Sequence, residues 1–301
     1  MIFLLIVLFV SILFLLASLV FAAKVIYPQR FGVQETYEIE KDNGKIDESL
    51  YGSWKKEEVI LPSPFGYELY GLWFPWNDSK RTVILSHGIT YTLYGSVKYM
   101  KMFLDLGFNV FIYDNRHHGR SGGKNATFGF HEKYDLKVIT NWVESKTGDE
   151  AIIGTHGESM GAAISLQHAA IDPRIQFVIE DCSFNRLDTL LAYRLKKDYH
   201  LPRIPLMPVV ELICQLLSDM VIKEVSPEKA VRNIQAPIMF IHGEHDEFIP
   251  PFMVDDLFSN KMIGPKKLYI APNAGHAESY WNNQKEYSAL VAEFLLENKI
   301  L

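Results

Sequence analysis

Six short runs set the main constraint on this chain: Arg81–Ser86 (RTVILS), Asn109–Tyr113 (NVFIY), Ala151–Gly154, Phe177–Ile179, Ile238–Ile241 (IMFI) and Lys267–Ile270 (KLYI). Their apolar centres lack the in-out alternation of a strand with one wet face, so each is expected to be a strand buried on both sides. Helical spacing fills the gaps, at Ser96–Leu106 (with Tyr99, Met102 and Phe103 on one face), Lys133–Val143, Met160–Ala170 and Tyr287–Glu297. Strands alternating with helices predict an α/β fold, a mostly parallel sheet flanked by helices. Glu58–Leu61 and Glu68–Phe74 read as a strand pair around the turn at Pro62–Gly66. From about Asn185 to Asn233 the rhythm breaks into two helical patterns joined by the Pro-rich stretch Leu201–Pro208. An insertion at that point is expected to form a helical cap over a site.

The chain begins with a second constraint. Met1 to Ala23 contains no charged side chain and consists mostly of Ile, Leu, Val and Phe. As a helix rising ~1.5 Å per residue, it is long enough to cross a hydrocarbon core of about 30 Å. A cleaved signal peptide is the alternative. It favours a basic leader and a shorter apolar stretch, although Val20-Phe21-Ala22 resembles a weak cleavage pattern. The predicted division is a single-pass transmembrane anchor at 1–23, a polar, irregular linker at 24–55 and a catalytic domain at 56–301 with its cap at about 185–233. Lys24 and Arg30 follow the apolar run. A literal positive-inside reading puts the body in the cytoplasm, but two charges leave the side open.

Composition excludes some partners. The net charge is −6 and the body has no block of basic residues, which argues against nucleic acid. The two cysteines, Cys182 and Cys214, are too few for a disulfide framework and read as buried thiols.

The chemistry is concentrated at Gly157-Glu158-Ser159-Met160-Gly161, a G-x-S-x-G sequence set between a predicted strand and a predicted helix. There a serine sits on a tight turn with helix N–H groups facing any negative charge that develops beside it. A serine nucleophile needs a base, and the base needs an orienting acid. Asp246 lies on the loop after IMFI, and His276 follows KLYI in Asn273-Ala274-Gly275-His276. The order serine, acid, histidine and the placement of all three on loops at one sheet edge make Ser159, Asp246 and His276 the candidate catalytic residues. Asp181, after Phe177–Ile179, is the competing acid. His87, His117 and His242 stand beside strand ends and are expected to bond to the backbone, while His245 is expected to point away. His87-Gly88-Ile89 ends a strand where a second oxyanion donor is needed, so the backbone N–H groups of Ile89 and Met160 are the expected donors. Asp114, His117 and His118 lack metal-ligand spacing and read as a hydrogen-bonded loop, so no metal and no organic cofactor is expected. Glu132 and Asp135 read as structural residues at a helix start.

HG at 87–88, DNRHHGRSGG at 114–123, GESMG at 157–161, HGEHDEFIP at 242–250 and NAGH at 273–276 together resemble the α/β-hydrolase superfamily. Within it the chain is similar to the branch of serine aminopeptidase-like and monoacylglycerol-lipase-like enzymes, and to bacterial hydrolases with one N-terminal membrane segment. The resemblance covers roughly residues 55–300 and implies the α/β-hydrolase fold. It also implies Ser159 as nucleophile, Asp246 as acid, His276 as base, and Ile89 and Met160 as oxyanion donors. It departs from the HGGG lipases, since Ile89 and Thr90 stand where glycines would be. Serine rather than aspartate at 159 argues against epoxide hydrolase or dehalogenase chemistry.

These readings give a serine hydrolase that acts on a small acyl substrate, an ester, thioester or amide, through an acyl-enzyme, with a carboxylic ester first and a peptide bond second. A transferase passing the acyl group to another acceptor uses the same residues. A catalytically silent binding protein on the same scaffold is the rival from another class. Substrate identity and oligomeric state are not encoded in any of these motifs.

Overall fold

The computed structural model describes residues 1–301. The predicted strands all form, several of them a residue or more longer than expected. β1 (Glu57–Pro62), β2 (Glu68–Phe74), β3 (Arg81–Ser86) and β4 (Asn109–Tyr113) precede the motif, and β5 (Ile152–Glu158) leads into it. β6 (Ile175–Asp181), β7 (Ile238–Gly243) and β8 (Lys266–Ala271) complete one sheet in the order β1-β2-β4-β3-β5-β6-β7-β8. β1 and β2 pair antiparallel, as do β2 and β4, and every pairing from β4 through β3 to β8 is parallel.

Both faces of β3 to β7 are buried, which explains their apolar runs, whereas β8, expected to be buried on both sides, is a half-exposed edge strand in which only Ala271 is buried. Ile84, Phe111, Val178 and Phe240 enter one core. Their neighbours Val83, Leu85, Val110, Ile112, Phe177, Ile179, Met239 and Ile241 enter the other. Helices close the two layers. In chain order they are α1 (Ile2–Ile26), α2 (Val33–Asp42), α3 (Glu48–Ser53), α4 (Val97–Asp105), α5 (Glu132–Thr147) and α6 (Met160–Ala169). After β6 come α7 (Leu187–Tyr199), α8 (Leu206–Ser218) and α9 (Pro227–Val231), then α10 (Phe252–Asn260), α11 (Ser279–Asn282) and α12 (Gln284–Glu297).

Two regions depart from expectation. Residues 24–55 are not an irregular linker, because they carry α2 and α3. Asp47 caps α3 by accepting from the Leu50 N–H at 3.0 Å, and Thr36, Glu40 and Tyr51 are buried. The polar composition concealed this because a Glu and a Thr are among the buried side chains. The insertion over 185–233 also divides. α7 and α8 lie over the carboxyl edge of the sheet, whereas α9 packs against α6 and α10 as part of the body.

α1 is long and apolar enough to cross a membrane. Every residue from Met1 to Leu13 is exposed. Beyond that, Phe14, Ser18, Ala22 and Ile26, spaced four apart, turn one stripe onto the body and against α8.

Candidate active site

Ser159 occupies the junction of β5 and α6 with φ 55° and ψ −117°, a conformation that costs a non-glycine residue of order 1–3 kcal/mol. The flanking glycines make this turn possible. A Cβ on Gly157 would lie 2.2 Å from the Gly161 carbonyl oxygen, and one on Gly161 would lie 2.0 Å from the Ser86 carbonyl oxygen. Close passage of strand and helix therefore requires glycine at both positions.

The loops after β7 and β8 bring the other two residues to Ser159. His276 Nε2 lies 2.9 Å from Ser159 Oγ, and His276 Nδ1 lies 2.7 Å from Asp246 Oδ2. The second Asp246 oxygen accepts from the Phe248 and Ile249 N–H groups at 2.9 and 2.8 Å. Burial alone pushes the Asp246 carboxyl up, but hydrogen bonding with His242 and His276 holds it well below the usual carboxylate range. A carboxylate held ionised beside Nδ1 favours the tautomer whose Nε2 is free to accept a proton from the serine. Asp181, the competing acid, is engaged elsewhere, as its Oδ1 accepts from Ser279 Oγ at 2.8 Å.

Ile89 and Met160 both border the same space. A Cβ built on Gly88 would lie 3.6 Å from the Ser159 Cβ, and Met160 is the first residue of α6. The His87 ring fixes this turn. Its Nε2 accepts from the Asn115 N–H at 2.9 Å and its Nδ1 donates to the Gly88 carbonyl at 2.7 Å. Burial pushes the His87 imidazole down to about 3, so it stays neutral, as those two bonds require. His242 donates to the Ile249 carbonyl at 2.7 Å, His117 meets the Gly123 carbonyl at 3.1 Å, and the His245 side chain is solvent-facing. Asp114 accepts from the Leu93 and Arg120 N–H groups at 2.8 Å each, as expected of a structural loop. Glu132 likewise binds the Thr127 and Gly129 N–H groups, and Asp135 accepts from Ser63 and Tyr67.

Beneath Ser159 lies a buried charged cluster that the motifs did not reveal. Lys98 of α4 pairs with Glu158 at 2.5 Å, and Tyr99 donates to the same Glu158 oxygen at 2.6 Å. Glu40, from the segment expected to be a linker, is buried close enough to feel both charges. Burial opposes ionisation of both Lys98 and Glu158, yet their mutual attraction raises the lysine to about 12 and lowers the glutamate. The available signal was Glu158 itself. A glutamate between the motif's first glycine and its serine must be buried, and so needs a cation.

Above Ser159 opens a cavity of about 460 Å³, within the range of small-molecule sites, and 17 of its 24 lining residues are hydrophobic. The cap contributes Leu190, Leu191, Met207 and Val210, so some of its apolar residues line the cavity and do more than pack. α1 and the segment after it contribute Phe21, Val25, Tyr27 and Pro28, which sequence reasoning missed because docking of a distant segment leaves no local pattern.

Comparison with known proteins follows the same lines. The family model for serine aminopeptidase, S33, matches residues 77–198. Uncharacterized protein YqkD of Bacillus subtilis is 39% identical over 280 residues, 92% of each chain. Uncharacterized membrane protein YNL320W of Saccharomyces cerevisiae is 24% identical over 67% of this chain and 68% of its own. The Pyrococcus furiosus esterase Pf2001 superposes with a TM-score of 0.69 at 25% identity, covering 84% of this chain and 94% of the esterase.

Proposed function

The chain belongs to the α/β-hydrolase superfamily, in the branch of the S33 serine aminopeptidase-like hydrolases, and we propose that it is a membrane-anchored serine hydrolase cleaving carboxylic esters. One observation carries this reading: a single imidazole joins Ser159 Oγ and Asp246 at 2.9 and 2.7 Å beneath an apolar cavity. In the proposed reaction His276 Nε2 takes the Ser159 proton as Oγ attacks the ester carbonyl. The Ile89 and Met160 N–H groups bind the oxyanion, each worth about 10²–10³ in rate. The tetrahedral intermediate expels the alcohol, which receives the proton from His276. Water, activated by the same imidazole, then releases the acid and restores the serine.

The family model favours a second reading, an aminopeptidase. Such a site must neutralise a free α-amino group, and the only carboxylate lining the cavity is Asp198, already paired with Arg194 at 2.8 Å. This supports the ester. Anchoring is supported by α1, because cleavage after Ala22 would remove Phe21 from the cavity wall.

The test is hydrolysis of p-nitrophenyl esters from acetate to palmitate by the full chain in detergent micelles. Turnover in the wild type that disappears in Ser159→Ala is expected. Turnover retained in Ser159→Ala, or turnover of aminoacyl anilides alone, would refute the proposal.

A further inference from the structure

The helix read as an anchor does not stop at the edge of the body. It is built into the body's side. The charge-free apolar run of α1 continues past its exposed residues 1–13 through Phe14 to Phe21, the stretch whose other face packs on α8. A neighbour packed along that stretch shares its depth.

α8 is shaped for that position. Leu212, Leu216 and Leu217 point outward at 55%, 74% and 54% exposure, and Ile204 in the preceding loop is 71% exposed. The helix's only charged residue, Glu211, is largely covered and pairs with Lys223 at 3.2 Å. Cys214 lies 3.9 Å from the Ala22 carbonyl oxygen, so α8 and its exposed leucines sit directly beside the apolar surface of α1. A soluble protein seldom presents such a patch without a use for it.

The same two helices wall the cavity over Ser159. Phe21 and Val25 of α1 face it together with Met207 and Val210 of α8. We propose that α8 lies in the bilayer beside α1, and that the cavity, with the membrane helix as one wall, receives its acyl chain from the lipid phase. This deepens the hydrolase reading, on which it rests, and names the substrate class as a long-chain acyl ester resident in the membrane. Where α1 meets α7, Tyr199 packs on Phe21 with ring centres 4.8 Å apart and accepts a hydrogen bond from Lys24 at 3.0 Å.

Two measurements on the full chain in phosphatidylcholine vesicles decide it. In the first, a nitrobenzoxadiazole probe on Leu216→Cys is exposed to lipids carrying a nitroxide on the acyl chain or on the headgroup; native Cys182 and Cys214 are buried. Quenching by the acyl-chain nitroxide at least as strong as by the headgroup nitroxide is expected. A probe on Met262→Cys, at the opposite sheet edge before β8, should be quenched by neither. Weak quenching at 216, equal to that at 262, overturns the immersion of α8. In the second, Val25→Trp narrows the α1 wall and should lower the ratio of palmitate to acetate ester turnover at least tenfold in kcat/KM. An unchanged ratio overturns α1 as a wall of the acyl site. A wild-type chain that turns over neither ester and takes no fluorophosphonate would instead remove the hydrolase reading, and the quenching result would still decide immersion on its own.

Discussion

Replacing Lys98 with methionine keeps the side-chain length and removes the only cation paired with Glu158. In the wild type the pair is 2.5 Å apart with side-chain exposures of 4% and 11%. Deleting one partner of a buried ion pair leaves an uncompensated charge, which costs about 3–5 kcal/mol. The Tyr99 hydroxyl still donates to Glu158 at 2.6 Å, so the lower half of that range is expected. With a urea slope near 3 kcal/mol/M, the unfolding midpoint of the full chain in micelles should fall by about 1–1.5 M. The loss should also depend on pH. In the wild type burial pushes the Glu158 carboxyl up, but Lys98, helped by Tyr99 and His276, more than offsets it and lowers the group, so its contribution is present above the ordinary glutamate range and lost as pH falls. Without Lys98, burial pushes the same group up, and stability is lost as pH rises. The penalty should therefore be larger at pH 8 than at pH 5.5, and Lys98→Met with Glu158→Gln should recover most of it. A loss below about 1 kcal/mol, or one that neither varies with pH nor recovers in the double variant, would refute the reasoning.

Other outcomes follow from single residues. Asp246→Asn should lower kcat about 10⁴-fold, as tautomer loss does in serine proteases, while Asp181→Asn should change it by less than about threefold; the reverse pattern in ester kinetics would make Asp181 the working acid. Gly161→Ala puts a Cβ 2.0 Å from the Ser86 carbonyl oxygen and should lower stability by at least 1–3 kcal/mol, read from thermal unfolding. Burial raises the Glu180 carboxyl from 4.5 to about 8. Its contribution is therefore fully present below pH 4.5 and lost as pH rises through 8, by up to about 5 kcal/mol. Glu180→Gln should consequently flatten the fall in unfolding temperature between pH 6 and 9.

The sheet was legible because burial on both faces removes polar residues from Val83–Leu85, Val110–Ile112 and Ile238–Ile241, a pattern that survives without any alignment. The candidate triad was legible because strand order fixes where loops emerge, so Ser159, Asp246 and His276 could be placed at one edge from sequence position alone. Lys98 and Glu40 were not legible. A charged side chain on a helix reads as solvated unless the opposing surface is known; the partner of Lys98, Glu158, comes from β5, and Glu40, paired with Lys45 at 3.6 Å, is buried. Phe21 and Val25 were hidden for a related reason. In an unbroken apolar run, nothing separates residues that meet lipid from those that meet the cavity.

The central claim is that Ser159 is an activated nucleophile, and covalent labelling tests it most directly. The full chain in micelles would be treated with a fluorophosphonate, digested and mapped by mass spectrometry. The account predicts one adduct, on the peptide bearing Ser159, absent from Ser159→Ala and strongly slowed in His276→Ala. An unlabelled wild-type chain, or an adduct on another residue that survives in Ser159→Ala, would contradict it.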